Sequence, residues 1–169
     1  MDVYDAIRGR VAVKEFKPDP VPEAVLRKIL LAARWAPSQR NRQPWHFVVV
    51  RDPETIREIG GLASSGEYIA QAPVAIAVVV ESDRPMQRFD AARAIENMLL
   101  VAWSHGVGTS YVGQMDRDRI KDILRIPAEM ELVTVMPYGY PAPTEAAKGK
   151  RRKPLGEIAS RGTFGVPYA

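Results

Sequence analysis

The chain has 169 residues, of which 46% are apolar and 26% are charged, and its formal net charge is +4. This length and composition predict one globular domain over residues 1–169, and the weak positive charge does not indicate a dedicated nucleic-acid-binding protein. The sequence has no cysteine, which excludes disulfide bonds, a thiol nucleophile and a thiolate metal site. It also shows no apolar run of membrane-spanning length and no signal-peptide pattern, so we expect a cytoplasmic protein.

The first half of the chain alternates helical and strand patterns. A short helix is expected over residues 2–8, and apolar residues at helical spacing predict a second helix over residues 23–35. The sequence WHFVVV at residues 45–50 is typical of a strand. Residues 52–54, Asp-Pro-Glu, are typical of a helix start, because an acidic N-cap is followed by proline. That helix is expected to end near Gly60 and Gly61.

The second half begins with an almost wholly apolar run at residues 73–80, PVAIAVVV, which predicts a strand covered on both faces. The longest helix is predicted over residues 88–105. It is apolar nearly all round, so it lies centrally in the fold or in a subunit interface. The remaining pattern predicts a strand over residues 109–115, a helix over 116–125, a strand over 131–138 and an extended basic tail over 142–169.

A polar loop joins the second predicted helix to the first predicted strand. It reads PSQRNRQP at residues 37–44 and carries six hydrogen-bonding side chains between two prolines. A turn needs few such side chains, since one glycine, proline or asparagine suffices. Two interpretations therefore stay open, a polar turn with its own hydrogen bonds and a loop that holds a ligand.

Basic residues concentrate in two places. KGKRRK at residues 148–153 places five cations in six positions, and Arg8, Arg10, Lys14 and Lys17 form a second cluster. Two basic ends on an otherwise balanced chain indicate a compact anion between them, such as a phosphate, which accepts several charge-assisted hydrogen bonds. The alternative for KGKRRK is a solvated basic tail.

The sequence lacks the common catalytic and metal-binding motifs. Its two histidines, His46 and His105, are not spaced as metal ligands. No nucleophile elbow, P-loop or dinucleotide-binding glycine motif occurs, and the acidic residues form no evident acid–base pair. An enzyme with this sequence would depend on a bound cofactor for its reactive group, and we expect no metal.

Four stretches resemble, in the same order, the nitroreductase family of dimeric FMN-dependent NAD(P)H oxidoreductases. They are RVAVKEF at residues 10–16, PVPEAVLRKILLAARWAPSQRNRQPW at 20–45, GVGTSYVGQM at 106–115, and YGYP at 138–141 followed by RKPLGEI at 152–158. The block AARWAPSxxNxQPW is the most specific of them. The resemblance implies an α+β protein with a three-layer α/β/α fold, a central mixed, mainly antiparallel sheet, and a homodimeric assembly.

The resemblance also implies which residues hold the FMN phosphate and ribityl chain. Arg10 and Arg152 match the family's phosphate-binding arginines, with Lys150 as a helper and Arg8 nearby. Val11 and Ala12 stand where the family has a second arginine and a serine. Two side-chain contacts are therefore lost at these positions, and only their backbone N–H groups could serve.

In the family, the polar loop reaches across the dimer to FMN bound mainly by the other subunit. The resemblance therefore implies that Ser38 and Asn41 hydrogen-bond the cofactor. Pro37 would pack nearby, and Gln43 is a weaker candidate. These roles depend on the resemblance, because the loop taken alone is more typical of a polar turn.

Two further positions acquire a role from the resemblance. Lys14 would lie near the pyrimidine edge of the flavin ring, where a fixed cation stabilises the charge of the reduced cofactor. The backbone at Gly113 and Gln114 would approach flavin N5, the atom that accepts the hydride, and could donate an N–H group to it. Glycine permits such a close approach of the main chain to a ligand.

The resemblance implies that NAD(P)H delivers a hydride to flavin N5 and leaves. A nitroaromatic, quinone or flavin acceptor is then reduced at the same face, in a ping-pong cycle. Trp45, Arg88, Phe89 and Tyr111 are candidates for the acceptor pocket. The expected partners are a second copy of the chain and a small-molecule acceptor, without nucleic acid or membrane.

Alternatives to this function remain. Other members of the family cleave reduced flavin, dehalogenate aromatic substrates or dehydrogenate peptide-derived rings. Outside enzymology, the chain could be a non-catalytic flavin carrier or a basic module that contacts nucleic acid. The modest net charge and the lack of aromatic residues within KGKRRK argue against nucleic-acid binding.

Overall fold

The computed structural model describes residues 1–81, 85–143 and 150–168 of the chain. The described helices are α1 (Val3–Gly9), α2 (Glu23–Arg34), α3 (Pro53–Gly61), α4 (Gln87–Ser104), α5 (Arg117–Ile123) and α6 (Leu155–Ile158). Short 3₁₀ helices span Gln39–Asn41 and Glu67–Gln71. The described strands are β1 (Trp45–Val50), β2 (Val74–Glu81), β3 (Gly108–Thr109) and β4 (Met130–Gly139). These bounds confirm each predicted helix and strand to within about two residues, except the strand over residues 109–115.

Three of the helices begin at an aspartate that caps the first turn. The Asp2 carboxylate accepts the N–H of Asp5 at 2.8 Å, and Asp116 accepts the N–H of Arg119 at 3.2 Å. Asp52 accepts both the N–H and the hydroxyl of Thr55, and these hydrogen bonds lower the pKa of Asp52. Such caps satisfy N–H groups that have no partner inside the helix, so these helix starts are encoded locally.

The four strands form one sheet in the order β1-β2-β4-β3, and all neighbouring strands are antiparallel. Trp45 pairs with Val80, which sets the register of β1 on β2. A parallel bridge between Ala12 and Thr109 adds a short N-terminal segment beside β3. The predicted mainly antiparallel sheet is confirmed, and the isolated parallel bridge lies outside its four strands.

The side chains of β2 are buried on both faces of the sheet. Val74, Ile76, Val78 and Val80 belong to a core that also contains the buried faces of α2 and α4. Ala75, Ala77 and Val79 belong to a second core, filled by Ile56 and Ile59 of α3, Ile69 of the second 3₁₀ helix and Ile120 of α5. Successive residues of a strand point to opposite faces, so this strand requires a helical layer on each side. The predicted three-layer α/β/α arrangement is confirmed.

The long helix α4 lies centrally in the fold, as its composition predicted. Its core-facing side chains are Ala91, Ala94, Ile95, Met98, Leu99 and Ala102. Other sides of the same helix are uncovered within the chain, and Phe89 is 59% exposed. The second expectation for this helix, a place in a subunit interface, stays a prediction.

The predicted strand over residues 109–115 is wrong, because β3 ends at Thr109 and the following residues are irregular. Some of their peptide groups form hydrogen bonds with side chains, whereas the peptide groups of a strand form hydrogen bonds with a neighbouring strand. The hydroxyl of Thr134 donates to the carbonyl of Val112, and the N–H of Gln114 donates to Ser65. Alternating apolar and polar residues are compatible with both arrangements, so the pattern alone could not distinguish them.

The predicted basic tail is described only in part, because Lys148 and Gly149 lie outside the described residues. Residues 150–168 contain α6 and a turn closed by a bridge between Ser160 and Pro167. Several apolar side chains of this segment are exposed, namely Leu155, Ile158, Phe164, Val166 and Tyr168. Within the ranges that the structure describes, no helix combines the length and apolarity needed to cross a bilayer.

Adjacent glycines at the end of α3 provide a test of the packing between α3 and the second 3₁₀ helix. A Cβ atom at Gly60 would lie 2.8 Å from both the Cβ and the backbone nitrogen of Ala70, whereas one at Gly61 would meet no atom within 4 Å. We expect Gly60→Ala to lower the free energy of unfolding by about 1–3 kcal/mol through overpacking. Gly61→Ala should raise it by up to about 1 kcal/mol through helix propensity. Urea unfolding of both variants measures the difference, and equal effects would contradict the close approach.

Candidate functional site

Three cations that the sequence placed at opposite ends of the chain lie together. Arg10 follows α1 as its C-cap residue. The Lys150 ammonium donates to the backbone carbonyls of Ile7 at 3.1 Å and Arg8 at 2.8 Å. These carbonyls lie in the last turn of a helix, where they have no helical partner. Lys150 therefore attaches the C-terminal segment to α1, and it lies within electrostatic reach of both Arg10 and Arg152.

The electrostatics of this cation cluster leave positive charge uncompensated. Burial lowers the pKa of Lys150, and the positive charges of Arg10 and Arg152 lower it further, while Glu96 has the opposite effect. Arg10 Nε lies 3.8 Å from Glu96 Oε1, is itself buried, and makes no hydrogen bond to any described residue. Within residues 1–81, 85–143 and 150–168, Glu96 is the carboxylate that acts on Lys150, and three like charges held beside it favour the binding of an anion.

A cleft begins at Arg10 and runs along α4. Its first part is a cavity of about 380 Å³ that is also lined by Ala12 and Ser110. Its second part is a cavity of about 460 Å³ lined by Arg88 and Arg117, among others. Both parts share the lining residues Ala92, Ile95 and Tyr111. The cleft therefore extends from Arg10 to the irregular segment after β3. Arg88 and Tyr111 line it, whereas Trp45 and Phe89 are not among its lining residues, and a role in acceptor binding stays a prediction.

Lys14 is linked to the same cleft through two side chains. Its ammonium lies 5.4 Å from the centroid of the Tyr68 ring, a cation–π contact. The Tyr68 hydroxyl donates to Ser110 Oγ at 3.2 Å, and Ser110 lines the first cavity. Lys14 thus lies on the side of β3 where the N-terminal segment bridges the sheet.

The segment that contains Gly113 and Gln114 is held by side chains on both sides. Thr134 Oγ1 donates to the Val112 carbonyl at 2.8 Å, and Arg117 Nη2 donates to the Gly113 carbonyl at 2.9 Å. The Gln114 N–H donates to Ser65 Oγ at 3.1 Å, so this N–H group is already used within the chain. A Cβ atom at Gly113 would meet nothing within 4 Å. Space for a ligand is therefore open beside Gly113.

The polar loop makes its own hydrogen bonds, as the turn interpretation expects. Ser38 Oγ accepts the N–H of Gln43 at 2.9 Å, and the Gln43 amide donates to the Asn41 carbonyl at 3.3 Å. Its backbone is nevertheless unusual, because Arg40, Asn41 and Gln43 have φ values of 54°, 55° and 52°. Left-handed non-glycine residues are costly, and they concentrate at binding sites and active sites. A loop that only reverses the direction of the chain does not need three left-handed residues other than glycine.

Asp90 of α4 anchors this loop. Its side chain is 3% exposed, and Oδ2 accepts the N–H of Gln39 at 3.1 Å while Oδ1 accepts Arg93 at 2.5 Å. A buried carboxylate that accepts a backbone N–H holds the loop in one position relative to α4. Anchoring of this kind allows the strained backbone of the loop to persist.

Not all of the predicted site residues lie together in the chain. Among the described residues, no hydrogen bond or ion pair joins the polar loop to Arg10 or Lys150. Pro37 and Asn41 are exposed, and Val11 is partly buried. The guanidinium of Arg8 is exposed and lies 5.7 Å from the Tyr4 ring of its own helix. The described part of the chain also contains no group of three potential metal ligands.

Five residues of the site were not predicted from the sequence, namely Ser65, Tyr68, Asp90, Arg117 and Thr134. Only Arg117 carried a local signal. It follows the N-cap Asp116 at the first position of α5, where a cation opposes the helix dipole. A charge in an unfavourable position indicates a partner elsewhere, and Arg117 has three carbonyl partners. The others act over long sequence separations and have no such signal.

Comparison with known proteins gives a consistent result. A model described as "Nitroreductase family" matches residues 7–67 and 63–140. A protein of Methanothermobacter thermautotrophicus named "Putative NADH dehydrogenase/NAD(P)H nitroreductase" is 37% identical over 150 residues, which cover 84% of this chain and 78% of that protein. A protein of Thermotoga neapolitana named "Iodotyrosine deiodinase" is 25% identical over 164 residues, which cover 82% and 88%.

A solved structure supports the same fold. It is described as an FMN-dependent nitroreductase from Clostridium difficile R20291 and superposes with a TM-score of 0.86, covering 95% of this chain and 99% of that one. Its sequence is 21% identical, so the likeness concerns the fold. Since the family match spans most of the chain and one relative is 37% identical, the chain belongs to the nitroreductase family.

Proposed function

We propose that the protein is an FMN-dependent oxidoreductase that uses NAD(P)H to reduce an electron-poor small molecule. The observation that most strongly supports this proposal is the cluster of Arg10, Lys150 and Arg152, in which Arg10 lies at one end of a cleft. Arg10 Nε is buried without a hydrogen-bond partner among the described residues, and its ion pair with Glu96 is long at 3.8 Å. This arrangement fits a phosphate dianion, which accepts several hydrogen bonds. The cleft beyond the cluster supplies room for the remainder of a mononucleotide.

A bound FMN would supply the redox chemistry for two-electron transfer from NAD(P)H to a nitroaromatic, quinone or flavin acceptor. The residues of the chain bind and orient it. Arg10, Lys150 and Arg152 hold the phosphate, while the backbone N–H groups of Val11 and Ala12 replace the side chains that are missing there. Arg10 and Lys150 are partly buried, which reduces screening by water and strengthens their charge-assisted hydrogen bonds.

Lys14 and the segment at Gly113 serve the ring end of the same site. Lys14 supplies a fixed positive charge, oriented by Tyr68, that favours a more negative ring. Gly113 leaves space for a flat ligand to approach the backbone. Val133 and Ile95 line the cleft and exclude water from it, which strengthens electrostatic interactions at the site.

The proposed assembly is a homodimer in which the polar loop completes the partner's site. In one subunit this loop is anchored to Asp90, and no hydrogen bond between described residues reaches the cation cluster. Its strained backbone presents Pro37, Ser38 and Asn41 at the surface beside α4. Exposed apolar side chains such as Trp35, which is 79% exposed, provide further surface that a second copy would bury.

The first prediction concerns the cofactor. We expect the protein to carry about one FMN per subunit, with a visible absorption spectrum that NADH or NADPH bleaches anaerobically. The double variant Arg10→Met/Arg152→Met should bind FMN at least about a hundredfold more weakly, since each charge-assisted bond contributes roughly 1.5–3 kcal/mol. Titration of the apoprotein with FMN measures this loss. Arg151→Met is the control, because Arg151 is exposed and only its backbone carbonyl contacts Arg152. A wild-type protein that retains no FMN would disprove the proposed function.

The second prediction is a fall in FMN affinity at alkaline pH. The pKa of Lys150 is lowered from 10.5, so the free protein loses this charge at a lower pH than an ordinary lysine. FMN phosphate is already dianionic above about pH 7. Affinity should therefore be highest below the lowered pKa of Lys150 and decline above it, in titrations from about pH 7 to about pH 10. Lys150→Arg keeps its charge and should remove the decline, while the same decline in that variant would exclude Lys150 as its source.

The third prediction tests whether the loop acts across the dimer. Asn41→Gly removes the side chain and keeps the left-handed backbone without strain. Subunits with this change, mixed with Arg10→Met/Arg152→Met subunits, should regain NAD(P)H-dependent reduction of a quinone. Random mixing in equal amounts yields about one half heterodimers. If the loop serves the partner, one of the two sites in each heterodimer has both an intact loop and intact arginines, so about a quarter of all sites are active. If the loop serves its own subunit, each site keeps one defect and mixing restores nothing.

A further inference from the structure

We propose that Thr134 and Arg117 are positioning residues that fix the N–H group of Gly113 toward the bound flavin. This inference rests on the proposed function. Arg117 also lines the second cavity of the cleft, but the role inferred for both side chains is exerted through the backbone. They act through the two peptide groups on either side of Gly113.

Thr134 acts on the peptide group whose N–H belongs to Gly113. It lies in β4, is fully buried, and its hydroxyl donates to the Val112 carbonyl at 2.8 Å. A hydrogen bond to the carbonyl of a peptide polarises that peptide, which makes its N–H a stronger donor. The rigid sheet position of Thr134 also sets the orientation of this peptide.

Arg117 holds the following peptide group. Its guanidinium donates to the Gly113 carbonyl at 2.9 Å and to two carbonyls of β4, those of Leu132 at 3.1 Å and Val133 at 3.3 Å. One planar side chain thus joins the irregular segment to the central sheet. At the first position of α5 a cation opposes the helix dipole, so this arrangement is favourable only because the carbonyls compensate for it.

The N–H groups of the two neighbouring residues have different roles. The Gln114 N–H donates to Ser65 Oγ at 3.1 Å and is therefore occupied. The Gly113 N–H has no hydrogen-bond partner in the described ranges 1–81, 85–143 and 150–168. Gly113 is exposed, open space lies beside it, and its neighbour Tyr111 lines the cleft. Of the two, the Gly113 N–H is thus the donor available to a ligand.

The test compares matched variants at both positions. Thr134→Val removes the hydroxyl with little change of shape, and Thr134→Ser keeps a hydroxyl. Arg117→Met removes all three contacts, whereas Arg119→Met removes an exposed cation from the same helix, where only its backbone contacts the N-cap. Three quantities are measured for each variant: the amide chemical shift of Gly113 with and without FMN, the FMN dissociation constant, and the rate of anaerobic reduction by NAD(P)H.

We expect FMN to remain bound in Thr134→Val and Arg117→Met, because the cation cluster is intact. The shift of the Gly113 amide on FMN addition should shrink, and the reduction rate at saturating NAD(P)H should fall about ten- to a hundredfold through misplacement of the ring. Thr134→Ser and Arg119→Met should match the wild type in all three measurements.

Unchanged amide shifts and rates in both Thr134→Val and Arg117→Met would overturn the inference while leaving the proposed function intact. A wild-type protein that binds no FMN would overturn the proposed function and this inference together, so the two failures are distinguishable. If Thr134→Val does not fold, as circular dichroism would reveal, Arg117→Met alone decides between these outcomes.

Discussion

The burial of β2 on both faces is the constraint on which the rest of the structure depends. Since its side chains alternate between two apolar layers, the strand needs α2 and α4 on one side and α3 and α5 on the other. β4 pairs with β2 over almost its full length and carries Thr134 beneath the irregular segment. The position of α4 against this sheet in turn sets the walls of the cleft and the place of Asp90. A shift of β2 by one residue would exchange the two faces and remove both cores.

The candidate site lies where regular structure ends. Residues after β3 have no strand partner, and their peptide groups are satisfied by Thr134, Arg117 and Ser65. Backbone N–H and C=O groups that are removed from water require hydrogen-bond partners. In this segment side chains are the partners, so no neighbouring strand covers it. The polar loop shows the same principle, because Asp90 anchors a backbone with three left-handed residues. Both segments are held rigidly and still leave their outer surfaces accessible to a ligand.

The sequence predicted those features that arise from contacts close along the chain. The N-cap at Asp52 involves Thr55, three positions away, and helical periodicity extends over a few turns. The strand expected over residues 109–115 was wrong because its deciding partners are distant. Thr134 is 22 positions from Val112, and Ser65 is 49 positions from Gln114. The two basic clusters are visible in the sequence, but their proximity in space was expected only from charge and from the family resemblance.

By itself, the sequence determined the α+β class, the order of elements, the apolar central strand and membership of a recognisable family, because periodicity, caps and motifs are local properties. Only the tertiary structure decided that Lys150 reaches carbonyls 142 and 143 positions earlier, and that Asp90 receives the loop 51 positions before it. In the described part of the chain, it also places no hydrogen bond or ion pair between the loop and Arg10 or Lys150. The physical reason is that these hydrogen bonds and charge interactions join groups far apart along the chain. The packed fold brings these groups together, and no local pattern specifies which distant groups meet.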